Sequence, residues 1–379
     1  MTDDVEEFGI KEIDAAVLRE AVAERMLSSH GGGEGAVVPR HEDIFESLRI
    51  ACHIDGFFYL NLGKAGKELE QRALSAARDF FALPINDKMS ISNTKSAQYR
   101  GYIRFGAEIT RRKPDMREQV EFGVEKAAHD PKEYPRLPLY ARLVGPNQWP
   151  SPRLLPKFRS EIEWCASQLE GAASILMRAL AICLGFSPAT FDECFLPWPN
   201  VQYKICRYGN KESASGVGIH CDSGMLTLLV QDPNASGLEA FSFRQNVWRS
   251  VHPRSGCIVI NLGEMLEKAT GGYFRATPHR VKNPSSSGSR ERYSFPYFYN
   301  AALRAPMKQM IASNALRWDR PKSSQSLTED NDNVMLSIYG NNALKSLARS
   351  HAACTAKHHP DIRVMKNGEV RPIVIRGRM

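Results

Sequence analysis

His220-Cys221-Asp222, followed 57 residues later by His279, constrains this chain more than any other pattern in it, because donors so spaced can serve one metal only if the chain folds back on itself. The His-x-Asp frame alone carries little information. It occurs four times, at His41/Asp43, His53/Asp55, His220/Asp222 and His359/Asp361. Only the third is followed by a β-rich apolar run, Leu226-Thr227-Leu228-Leu229-Val230, of the kind that forms a buried strand. Side chains alternate faces along a strand, so His220 and Asp222 are expected to project together while Cys221 turns aside. His279 lies in a second short β-like segment, Ala276-Thr277-Pro278-His279-Arg280-Val281, after a Gly271-Gly272 turn. Two imidazoles and one carboxylate on one face of a metal leave positions open, an arrangement suited to a non-haem ferrous ion. Thirteen residues beyond His279 stands Arg292-Tyr293-Ser294, the only Arg-x-Ser in the sequence. A guanidinium grips a carboxylate through two parallel charge-assisted bonds, and a serine hydroxyl two residues along the same face adds a third.

Around these motifs the chain organises simply. Apolar periodicity predicts amphipathic helices over Phe45 to Cys52 and Leu69 to Phe81, and a long helix over Ile162 to Leu184. Residues 113 to 156 are Pro-rich and read as loops and short strands. Short strands with turns at Asn210-Lys211, Asp232-Pro233-Asn234, Ser255-Gly256 and Pro284 to Ser289 fill residues 199 to 300. That is a jelly-roll pattern, two sheets closing on a site between them. The expected fold is mainly β, a double-stranded β-helix (jelly roll) core with flanking α-helices. One domain is expected over 1–379, with an N-terminal helical and mixed portion (1–198), a metal-binding core (199–305) and a C-terminal extension (306–379). Flexible stretches are expected at 28–33 and 323–326.

These residues resemble the core of the 2-oxoglutarate- and Fe(II)-dependent dioxygenases, in the branch that includes isopenicillin N synthase and the plant flavonoid and hormone oxygenases. The likeness extends to Ala51 to Leu60, to Asp79 to Pro84 with Lys88, to Arg100-Gly101-Tyr102, to Asn261-Leu262-Gly263 and to Thr270-Gly271-Gly272. It spans roughly residues 45 to 362. The stretch Lys204 to Gly209 is similar to the strand on which the family places an asparagine and, two residues later, a tyrosine against 2-oxoglutarate. Tyr208 matches the tyrosine. Cys206 stands where the asparagine would be, and Gly209 replaces the usual proline.

The resemblance implies a ferrous centre on His220, Asp222 and His279, and a cosubstrate, 2-oxoglutarate, held by Arg292, Ser294, Tyr208 and the Cys206 position. With O2 it implies hydroxylation, or a related C–H oxidation, of a small-molecule substrate with release of succinate and CO2. Tyr102, Arg104, Phe122, Met225, Phe298 and Tyr299 are the candidates for the substrate pocket. Two other functions remain open. One is an iron oxidase of the same fold that dispenses with 2-oxoglutarate; the other is a barrel that senses a small molecule without turning it over.

Charge adds little. The net +8 is spread along the chain, and its densest runs, Arg111-Arg112-Lys113 and Arg371 to Arg378, lack interleaved aromatics, so a solvated face is expected rather than a nucleic-acid surface. Eight cysteines without a C-x-x-C pair, no apolar leader and no membrane-length apolar run point to a reduced, cytoplasmic protein. The remaining histidines, among them His41, His53, His252, His351, His358 and His359, are expected to be packing or surface residues.

Overall fold

The computed structural model describes residues 9–28, 41–110, 113–209, 215–282, 291–311 and 334–373. The stretches expected at 28–33, 111–113, 210–211, 284–289, 323–326 and 371–378 lie wholly or partly outside them.

Two sheets face each other. The strands are β1 (Glu12–Asp14), β2 (Phe57–Asn61), β3 (Gly101–Ile103), β4 (Ile109–Thr110), β5 (Lys113–Pro114), β6 (Arg117–Gly123), β7 (Asn200–Tyr208) and β8 (Ser215–His220). They continue with β9 (Leu226–Gln231), β10 (Leu238–Ser242), β11 (Val247–Ser250), β12 (Cys257–Leu262), β13 (His279–Lys282) and β14 (Arg292–Asn300). The larger sheet has eight strands in the order β1-β2-β12-β9-β14-β7-β6-β3, the smaller has four in the order β11-β10-β13-β8. From β7 to β14 the chain alternates between the two sheets except at the β10-β11 hairpin, which stays in the smaller one, as in a double-stranded β-helix. The large sheet crosses the expected division at 198/199, since β2 pairs with β12 and β6 with β7.

The two faces of the large sheet differ in chemistry because side chains alternate along each strand. On β14, Tyr293, Phe295 and Tyr297 point outward; Tyr203 stacks on Phe295 and Tyr297, and Phe122 stacks on Tyr203. Against this aromatic layer lie the helices Gly63–Phe81 and Phe158–Cys183, joined by Phe80 on Phe158. The helix Phe158–Cys183 buries Ile162, Cys165, Leu169, Leu176 and Leu180, and the helix Glu42–Ile54 buries Phe45, Leu48 and Cys52, as their periodicity predicts. The opposite parity, Arg292, Ser294, Phe298 and Asn300 on β14 with Asn200, Gln202, Lys204, Cys206 and Tyr208 on β7, faces the barrel interior. Pro296, which has no N–H, pairs only with β9, and the ladder to β7 is interrupted between Ser294 and Tyr297.

After residue 334 the chain adds two helices, Tyr339–Ser350 and Ala352–His358, and a short hairpin of Ile362–Val364 and Val370–Pro372. Leu344, Ala348, Cys354, Ile362 and Val370 form a second small core with Tyr99 and Leu143, which fixes this module to the body. No helix among the described residues is long and apolar enough to cross a membrane.

Candidate active site

β8 ends at His220, and its register partner on β13 is His279, which brings the two rings to 4.3 Å between centroids. Each ring is oriented by a backbone carbonyl two residues earlier: Nδ1 of His220 donates to Gly218 O at 2.8 Å and Nδ1 of His279 to Thr277 O at 3.0 Å. A carbonyl can only accept, so Nδ1 carries a hydrogen in both rings and Nε2 is the nitrogen each ring presents to the site. Burial and the adjacent His279 push the His220 pKa down to about 4, so that ring is neutral at neutral pH.

Asp222 departs from the expectation that it shares a strand with His220. The strand stops at His220, and Asp222 lies in the turn toward β9. Its carboxylate is oriented from the large sheet instead: the Thr227 hydroxyl and the Asn261 amide, register partners on β9 and β12, donate to Oδ2 at 2.5 and 2.8 Å. The Glu264 N–H also holds the Asp222 carbonyl at 2.8 Å. Burial opposes charge on Asp222, but His279, His220, Thr227 and Asn261 outweigh it and hold the carboxyl below its usual range. Oδ1 lies 3.7 Å from His220 Nε2 and Oδ2 3.7 Å from His279 Nε2; one donor atom from each residue falls within 4.8 Å of the others. Two imidazole nitrogens and one carboxylate oxygen, each side chain oriented by further hydrogen bonds, make a donor set that suits a divalent metal.

Arg292 is 1% exposed. Tyr208 is its register partner, with the guanidinium carbon 4.8 Å from the phenol ring, and Nη2 donates to Gln231 Oε1 at 3.5 Å. Nε and Nη1 are buried without a partner among the described residues. A buried cation left this way is costly, and a carboxylate is the group whose charge and lone pairs compensate it. Ser294 pairs across with Cys206 on one side and Gln231 on the other. Cys206 is fully buried, which raises its thiol pKa and keeps it neutral, and its Sγ lies 3.8 Å from Gln119 Oε1.

A cavity of about 600 Å3 opens beside the triad, with His220 and Asp222 in its wall and Tyr339, Asn342 and Ser346 of the C-terminal helix on another side. Of the six substrate candidates only Phe298 lines it. Strand alternation excludes others: Tyr299 turns outward against Phe195, Phe122 is stacked between Trp149 and Tyr203, and Tyr102, paired with Val120, donates its hydroxyl to Glu118. Met225 is wholly buried in the core and Arg104 is exposed on the surface.

The sequence reading missed an ionic network in the same cavity wall. Lys204 Nζ lies 2.5 Å from Glu121 and 3.3 Å from Glu108; Gln119 Nε2 donates to both carboxylates, at 2.9 and 2.8 Å. His351, expected to be a packing residue, is buried 3.9 Å from Glu121. Glu108, Glu121 and His351 are close enough to form a second metal-ligand group. Lys204 and Arg117 already supply cations there. The missed signal was the period-two row of polar residues along β7.

A family model described as the N-terminal part of the non-haem dioxygenase in morphine synthesis matches residues 33–152, and the 2OG-Fe(II) oxygenase superfamily model matches residues 200–301. The chain is 29% identical to clavatol oxidase from Penicillium crustosum, over 72% of this chain and 84% of that protein. It is 30% identical to a 2-oxoglutarate-dependent dioxygenase from Aspergillus niger, over 70% of this chain and 80% of that one. Its fold is similar to that of a full-length Neurospora crassa protein in complex with alpha-KG, with a TM-score of 0.66 at 20% identity, covering 92% of this chain and 98% of that chain. With the triad, the buried guanidinium and the jelly roll in place, the chain belongs to the 2OG-Fe(II) oxygenase superfamily.

Proposed function

We propose that this Fe(II)- and 2-oxoglutarate-dependent oxygenase holds its metal on His220, Asp222 and His279 and its cosubstrate on Arg292, Ser294 and Tyr208, and oxidises a C–H bond of a small molecule bound in the adjacent cavity. The observation that carries the assignment is the pairing of a preorganised His-Asp-His set with a buried guanidinium whose Nε and Nη1 have no partner among the described residues. When bound, iron, O2 and 2-oxoglutarate supply the oxidising chemistry and release succinate and CO2. The chain's own residues supply geometry. Gly218 and Thr277 carbonyls fix the imidazole tautomers, Thr227 and Asn261 aim the carboxylate, and Arg292 neutralises the distal carboxylate of the cosubstrate.

Phe298 and the helix Tyr339–Ser350 shape the substrate space. We read the whole chain as one domain, since the large sheet is built from strands on both sides of residue 198. Eight free cysteines suit a reducing cytoplasm, where iron stays ferrous.

The test is oxygen uptake with succinate release in the presence of Fe(II) and 2-oxoglutarate. The expected result is uptake that needs both additions and is lost in Asp222→Ala. Uptake that proceeds with reductant and substrate but without 2-oxoglutarate would favour an iron oxidase, the reading for which the Cys206 replacement speaks.

A further inference from the structure

We infer that Arg117 is a positioning residue that aims the Tyr208 hydroxyl into the cosubstrate clamp; this rests on the assignment of Arg292 and Tyr208 to 2-oxoglutarate. Strand β7 lies between β6 and β14, and Tyr208 is the register partner of Arg117 on one side and Arg292 on the other. The phenol is therefore addressed by two guanidiniums. Arg292 lies over its ring, while Nη1 of Arg117 donates to its hydroxyl oxygen at 3.2 Å.

The direction of that bond decides what the hydroxyl can do. Arginine has no acceptor, so the phenolic hydrogen cannot point back at Arg117. It must be given to another group. No other partner of that hydroxyl is found among the described residues, and a cosubstrate carboxylate at Arg292 is the acceptor the clamp would bring. With a guanidinium on its oxygen the hydroxyl is also a stronger donor, because hydrogen bonds in a chain polarise one another.

Arg117 is itself held. Its Nη2 lies 2.7 Å from Glu108 and 3.2 Å from Asp115, and Glu108 is fixed in turn by Gln119 and Lys204. Glu108, Arg117 and Lys204 all line the substrate cavity. One continuous network thus runs from the cavity wall through Arg117 and Tyr208 to Arg292. A purely structural Arg117 would do no more than neutralise Glu108 and Asp115.

Arg117→Lys separates the two roles, since it keeps a positive charge for the acids but replaces two spaced nitrogens by one. The measurement is the 2-oxoglutarate dissociation constant of anaerobic Fe(II)-loaded protein, read from the visible charge-transfer band, for the parent, Arg117→Lys, Tyr208→Phe and the double variant. The bond at stake runs from the phenol to a charged carboxylate, so Tyr208→Phe is expected to bind about ten- to a hundredfold more weakly, Arg117→Lys at least about twofold more weakly, and the double variant no more weakly than Tyr208→Phe alone. An unchanged constant in Arg117→Lys, or losses that multiply in the double variant, would overturn the inference while leaving the clamp intact. A parent without any band would overturn the clamp assignment, and the inference with it. Should Arg117→Lys not fold, Tyr208→Phe decides, because an unchanged constant there leaves Arg117 nothing to position.

Discussion

The Thr227 hydroxyl donates a 2.5 Å hydrogen bond to Oδ2 of Asp222, so the carboxylate of the triad is held by the strand that follows it and not by the strand that carries His220. Asn261, from the next strand of the sheet, adds a second bond at 2.8 Å. Groups that orient a ligating carboxylate in this way typically contribute about 10- to 100-fold in metal affinity. Thr227→Val and Asn261→Ala should therefore each weaken Fe(II) or Mn(II) binding by that factor with the fold retained. Calorimetric titration with Mn(II) checks this, and parental affinity in both variants would show that Asp222 is oriented by something else.

Cys206 occupies the position at which the resembling family places an asparagine, yet among the described residues its thiol meets Gln119 alone, at 3.8 Å. Burial keeps that thiol protonated, and a thiol is a weak donor. Cys206→Ala should then leave the 2-oxoglutarate dissociation constant within about twofold, less than one ordinary hydrogen bond. A loss of tenfold or more would mean that the thiol contacts the cosubstrate directly.

His359 ties the C-terminal module to the body: its Nε2 donates to Ala97 O at 2.7 Å, while Nδ1 is buried without a partner among the described residues. Burial lowers its pKa from 6.5, partly offset by Ala97, because protonation would place an uncompensated charge inside. The folded pKa is thus below the unfolded one. Its stability contribution is complete above about pH 6.5 and is lost as pH falls toward the folded value. Hydrogen exchange of Ala352–His358, corrected for its intrinsic pH dependence, should reveal weaker protection at pH 5 than at pH 7, and His359→Gln should flatten that difference. Equal protection at both pH values in the parent would contradict this.

Much of the architecture was legible because it is periodic. The helix through Ile162 and Leu180 and the strand at Leu226 to Val230 are written in spacing alone, and His279 could be matched to His220 because both motifs sit in β-like text. The orientation of Asp222 was not legible, since where strand β8 ends is set by its pairing with β13. Five of the six substrate candidates lie outside the cavity wall, and strand alternation accounts for several of them. Phe298 and Tyr299 are consecutive on a strand, so one must point away, and the same holds for Glu121 and Phe122. Aromatic residues drew attention to the pocket, whereas the cavity wall is built largely from polar ones, Asn200, Gln202 and Lys204. Partners such as Glu108 and Lys204, 96 residues apart, meet only through the order of strands in the sheet.

The most direct test of the central claim is an anaerobic titration of the Fe(II)-loaded protein with 2-oxoglutarate, following the visible charge-transfer band of the chelate, with Arg292→Ala alongside. Bonds from a charged donor are worth about 1.5–3 kcal/mol, so the account predicts a saturable band in the parent and roughly ten- to a hundredfold weaker binding in the variant. An equal dissociation constant in Arg292→Ala, or no band in protein that has bound iron, would contradict it.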